Sequence, residues 1–258
     1  MLLTGVLFAI ILIYLFNLSM REIPSSEAGY TLRFNIPRNM PTMANNYALF
    51  YEPTTKITAL EYAHRFRINT PPIECDEAFT FENETGILRV YRHIPKLIYE
   101  VFPGTSTFCN KKARECRISQ ATSIMEEYNL DITGEAVTLI ENENTNENEN
   151  GHFIVKFIDT IEDLKNHALN NTVTLDIEGN LVAIEYFFVE LELLGACSIK
   201  SILQAFNELP NHNGSVDITN VQLVYIYANS IIQPGYLFSG DDSEGEPFSA
   251  LIRACLYY

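Results

Sequence analysis

The side chains able to do chemistry are scattered along this sequence. The histidines, His64, His93, His152, His167 and His212, include no pair at metal-ligand spacing, and no HExxH run is present. The cysteines, Cys75, Cys109, Cys116, Cys197 and Cys255, contain no CxxC pair of the kind that binds zinc or cycles as a redox dithiol. Their count is odd, so they cannot all pair within the chain. Cys109 and Cys116 bracket a polar stretch and could close a small disulfide loop or stand as two free thiols. Cys75 adjoins Asp76 and Glu77, whose charges raise a thiol pKa and make a poor nucleophile. Ser239-Gly240-Asp241-Asp242 offers oxygens to a cation, but a turn between strands explains it more simply. There is no GxSxG elbow, no Walker A loop and no GxGxxG after a strand. The expectation is therefore no catalytic residue, no metal ligand, no cofactor and no enzyme.

The elements that would position any site follow a recurring plan of one helix and then several strands. Residues 30–36 alternate and read as a strand, and 47–51 as another. A first helix is expected over 58–67, capped by Thr58, with Leu60, Ala63 and Arg67 on one face. Strands over 78–82, 87–92 and 96–102 follow, the first two joined at Glu84-Thr85-Gly86. A second helix over 119–128 turns Ala121, Ile124, Met125 and Tyr128 inward. Its strands are 135–140, 153–158, 173–177 and 181–188, the last two joined by a hairpin at Glu178-Gly179-Asn180. A third helix over 199–209 is capped by Ser198, carries the stripe Ile199, Ile202, Leu203, Phe206 and Leu209, and ends at Pro210. Strands over 221–227, 236–238 and 248–254 complete the chain, with a turn at 241–245. The fold class this implies is α+β, with helices packed on antiparallel meanders. The expected domains are a first α+β unit at 29–104 and a second region at 105–258. The run 141–150, ENENTNENEN, has no apolar residue and reads as a flexible hairpin tip.

Length and composition set the outer bounds. The 258 residues suffice for one large or two smaller cores, and 14 Tyr with 16 Phe supply core material. A formal net charge of −16 without a basic stripe argues against nucleic-acid binding. Residues 2–18 carry no charge and are apolar all round. As a helix they would be about 25 Å long, enough for a thin hydrocarbon core. Residues 1–20 are thus expected to be a single-pass transmembrane anchor, with 21–28 as a linker. A cleaved signal peptide is the competitor, but no basic residue precedes Leu2. Arg21, Arg33 and Arg38 follow the span, which by the positive-inside rule favours a cytoplasmic bulk domain.

The stretch 221–255, VQLVYIYANSIIQPGYLFSGDDSEGEPFSALIRAC, resembles the YycH/YycI-type regulatory proteins of Gram-positive bacteria. A strand ending at Tyr225 or Tyr227 precedes a Pro-x-Tyr-x-Phe-x-Gly strand at Pro234, Tyr236, Phe238 and Gly240. An Asp/Gly turn at Gly245 and a strand ending at Ala254 follow. The hairpin and helix before it are also similar to that family, and the helix-plus-meander units look like PepSY modules. The resemblance implies a bulk domain outside the cytoplasmic membrane, against the arginine count. It also implies contact with a sensor histidine kinase or a related regulatory protein, and it brings no catalytic residue.

Three functions follow as expectations: a membrane-bound regulator acting by contact, a PepSY-like peptidase inhibitor or anchored hydrolase, and a structural protein of the cell envelope. A pocket with convergent titratable groups would favour the enzyme. An exposed apolar patch or an unpaired sheet edge would favour the contact protein.

Overall fold

The computed structural model describes residues 29–34, 40–50, 52–103, 114–132, 136–141, 152–212 and 214–256. The anchor expected at 1–20, the linker at 21–28, nearly all of the acidic run 141–150, and Cys109 lie outside the described residues. Among the described residues no helix is long and apolar enough to cross a membrane.

The chain is mixed and dominated by strands. Strands β1 (Tyr30–Leu32) and β2 (Met43–Phe50) precede helix α1 (Lys56–Arg65), and β3 (Ile73–Glu74), β4 (Ala78–Glu82), β5 (Gly86–Tyr91) and β6 (Lys96–Val101) follow it. Helix α2 (Arg114–Glu127) leads to β7 (Ala136–Glu141), β8 (His152–Ile158), β9 (Thr160–Ile161) and β10 (Leu164–Lys165). Then come β11 (Asn171–Asp176), β12 (Leu181–Phe187) and β13 (Glu190–Ser198). Helix α3 (Ile202–Phe206) precedes β14 (Val216–Ala228), β15 (Ile231–Asp242) and β16 (Pro247–Arg253).

These elements fall into two compact units. The larger joins Asn45–Ala196 to Val224–Pro234. Its eight-stranded antiparallel sheet runs β3-β4-β5-β6-β12-β11-β8-β7. At its middle β6 pairs with β12, Tyr99 opposite Ile184, so strands from both sides of residue 104 share one sheet. The reason is burial: Leu97 and Tyr99 on β6 and Ile184 on β12 belong to one continuous core. That core takes Phe79, Phe81, Leu88 and Val90 from one meander and Val155, Val173 and Leu175 from the other. Helices α1 and α2 add Ala59, Ala63, Ala121, Ile124 and Met125. Strand β5 shows the strict alternation that one buried face imposes, with Gly86, Leu88 and Val90 inward. Asn83 shapes the turn before it, its Oδ1 accepting from the backbone N–H groups of Thr85 and Gly86 at 3.0 Å each.

Helix α1 differs from expectation at both ends. Its N-cap is Thr55, whose hydroxyl accepts from the Thr58 N–H at 3.2 Å, so Thr58 lies inside the helix. Arg67 is not on the inner face. It follows the helix at a φ of 58° and pairs with Glu127 at 3.0 Å, while Ala59 takes the buried position.

The smaller unit gathers the described residues up to Ala44, Cys197–Leu223 and the residues from Gly235 onward. Strand β1 runs parallel to β14, Tyr30 opposite Val216, and β15 pairs antiparallel with β16, Phe238 opposite Ala250. Tyr30 packs its ring against Phe206 and Phe248 and donates its hydroxyl to the Pro210 carbonyl at 2.6 Å. Helix α3 is shorter than 199–209. Its cap is Ser201, closed by a capping box with Gln204, and Ser198 ends a strand instead. Ile202, Ala205, Phe206 and Leu209 are buried, but Leu203 is exposed. A disulfide joins Cys197 to Cys255 across 58 residues, with Cα atoms 5.6 Å apart.

Candidate interaction surfaces

The residues singled out for chemistry turn out to hold turns. Cys75 is exposed, donates its N–H to the Ala78 carbonyl at 3.0 Å and accepts from Arg92 through its own carbonyl at 3.1 Å. It closes the hairpin between β3 and β4. Asp242 accepts from the N–H groups of Glu244 at 2.8 Å and Glu246 at 2.9 Å. Those two hydrogen bonds hold its carboxyl below the ordinary carboxylate range, and its oxygens serve the turn. Among the described residues no three His, Cys, Asp or Glu side chains are placed to share a metal ion.

The sequence reading missed a polar knot beside the hairpin β9–β10. The turn residues Glu162 and Asp163 both have positive φ, 49° and 66°, which aims the Glu162 carboxylate back at β14 and β2. Glu162 accepts from the Tyr225 hydroxyl at 3.0 Å and from Asn45 Nδ2. The donated bonds of Asn45, Tyr47 and Tyr225 hold its carboxyl below the ordinary range. Tyr225 is buried, with the Tyr47 ring 5.7 Å away. A carboxylate so fully bonded is a fastener for the small core of Ile161, Tyr225 and Ile232 rather than a base.

Burial, followed by the hydrogen bond to and charge of Glu162, raises the Tyr225 phenol well above its ordinary pKa. Burial pushes Tyr62 up to about 12. A folded-state pKa raised above the unfolded one contributes stability that is full below about pH 10 and lost as pH rises through the folded value. Absorbance at 295 nm should therefore lag behind that of the urea-unfolded chain between about pH 10 and 12. Coincident titration of the two samples would show that these phenols are not protected.

A groove of about 510 Å³ opens where α2 ends, lined by Thr122, Glu126, Asn129, Leu130, Asp131 and Phe157 among others. Its titratable groups are the two carboxylates Glu126 and Asp131. The Thr122 hydroxyl donates to the Ile118 carbonyl at 3.0 Å, so among the described lining residues no nucleophile stands beside a base.

The more distinctive surface is β13, which was not anticipated as a strand. Among the described residues it is the terminal strand beside β2 and is therefore an edge. Within the larger unit its residues from Glu190 to Ala196 are all exposed. Leu193 is 58% and Leu194 55% accessible, and they point to opposite faces. Apolar side chains on both faces of a free edge are what soluble monomers avoid.

No family model matches the chain, and no curated protein resembles it in sequence. Among solved structures it is similar to the C-terminal domain of Bacillus megaterium YpeB, at 11% identity over 79% of this chain and 100% of that one, with a TM-score of 0.38.

Proposed function

We propose that the chain is a membrane-anchored, extracytoplasmic protein that regulates a sensor histidine kinase by contact and catalyses nothing. The observation that carries this reading is β13, an edge strand with leucines exposed on both faces, because such a surface is built to be covered by another chain. The Cys197–Cys255 disulfide supports placing the bulk in an oxidising compartment. The uncharged run 2–18 supports an anchor that holds the domain near a partner in the same membrane, where weak contacts suffice.

Cys75 provides the test, since its side chain is exposed. In full-length protein carrying Cys109→Ser and Cys116→Ser, a membrane-impermeant maleimide should label Cys75 on intact cells, and Cys75→Ser should abolish the label. Labelling only after lysis would place the domain in the cytoplasm and overturn the reading. Deleting the gene should also change phosphorylation of the kinase's response regulator. Unchanged phosphorylation in cells that normally express the protein would remove the kinase as partner.

A further inference from the structure

We infer that β13 accepts a strand from its partner, and that the accepted segment alternates basic and apolar residues. This rests on the reading that the chain works by contact, and adds the chemistry of what is contacted. Side chains alternate across a strand, so Glu190 and Glu192 share one face of β13, with Leu194 at its end, while Leu191 and Leu193 share the other. All five are exposed. Backbone N–H and C=O groups along the edge supply a ladder for an incoming strand. Opposite-charge pairs across such a ladder are favourable and like charges are not. The complementary segment therefore carries Lys or Arg opposite Glu190 and Glu192 and Val, Ile or Leu on the face of Leu191 and Leu193.

The accepting stretch is short. Gly195 adopts a φ of +136°, outside strand geometry for L side chains, so the regular edge spans 190–194. A second copy is a poorer occupant. It would bring Glu190 and Glu192 onto the same edge again and join two chains of formal charge −16.

The probe is a fluorescein-labelled octapeptide of alternating Lys and Val, titrated against the full-length chain in detergent micelles. Its control alternates Glu and Val. The Lys–Val peptide should bind, and the control should bind at least tenfold more weakly. Methylating one alternate set of peptide nitrogens should abolish binding while methylating the other set should not, because only one set faces the edge. The double variant Glu190→Lys, Glu192→Lys should exchange the preference of the two peptides. Leu193→Thr, which keeps a strand-compatible residue, should weaken both, with an unchanged circular dichroism spectrum confirming the fold. Absence of binding by the Lys–Val peptide, equal binding of both peptides, or indifference to either methylation pattern would overturn strand addition by a basic segment. Sedimentation as a dimer abolished by Leu193→Thr would overturn it in favour of a second copy. Cys75 labelling and kinase output are read without the peptide, so failure here is distinguishable from failure of the proposed function.

Discussion

Replacing Cys197 with serine is expected to lower the unfolding free energy by about 4 kcal/mol, through the loss of a cross-link closing a long loop. The bridge spans 58 residues, and α3, β14, β15 and β16 all lie inside the loop it closes. Both cysteines are nearly inaccessible. Local hydrogen bonds would survive the substitution: Lys200 N–H to the Ala254 carbonyl at 2.9 Å, and Leu256 N–H to the Ser198 carbonyl at 2.8 Å. The effect should therefore lie mostly in the unfolded chain, which gains conformations. Urea unfolding of the wild type with and without reductant, beside Cys197→Ser, separates the contributions. Reductant should destabilise the wild type to about the level of the variant and leave the variant unchanged. Equal midpoints for oxidised and reduced wild type would mean that the bridge contributes nothing.

This disulfide shows where reading the sequence stops. Pairing depends on which strand ends meet, and Cys197 meets Cys255 only because 198–200 runs beside 254–256. Nothing local marks either residue, whereas Cys109 and Cys116 attract notice by closeness alone. Elements with strong local periodicity were legible. The strand at Ala78–Glu82 has the expected bounds, and the inward face of α2, with Ala121, Ile124 and Met125 buried, follows its helical stripe. The turn at Glu178-Gly179-Asn180 joins β11 to β12, with Asp176 accepting from the Asn180 N–H at 2.7 Å.

Strand β13 was illegible for a physical reason. ELELLGACS combines leucine and glutamate, both good helix formers, with a glycine break, and propensity there points away from the sheet that pairing imposes. The hairpin of β14 and β15 is longer than the strands expected at 221–227 and 236–238 for a related reason. Its two-residue turn, Asn229-Ser230, has φ values of 55° and 65° without the glycine that usually marks such a turn. The surface on which the proposed function rests was thus hidden by the same conflict between local preference and tertiary pairing that makes it unusual.

Phe66→Ala is expected to cost about 3–5 kcal/mol, the usual range for emptying a buried aromatic site. Phe66 caps the C-terminus of α1 and is almost wholly buried. Its ring stacks on Tyr128 at 4.5 Å, just beyond α2, and meets Tyr99 of β6 at 4.6 Å. Tyr99 and Tyr128 are themselves edge to face at 5.8 Å. One side chain therefore ties both helices to the central strand of the larger sheet, and alanine leaves a cavity that rigid neighbours cannot fill. Two readouts separate this from a generic loss of area. Burial, with Tyr99 adding to it, holds the Tyr128 phenol above its ordinary pKa. Opening the cavity to water should bring it back toward about 10, visible as an earlier rise in 295 nm absorbance. A double-mutant cycle with Tyr128→Leu should give a coupling of about 0.5–1.5 kcal/mol for the stacked pair. Strict additivity would mean that the rings are neighbours without interaction. A cost for Phe66→Ala below about 1 kcal/mol would mean that the site collapses and that α1 is not held through this residue.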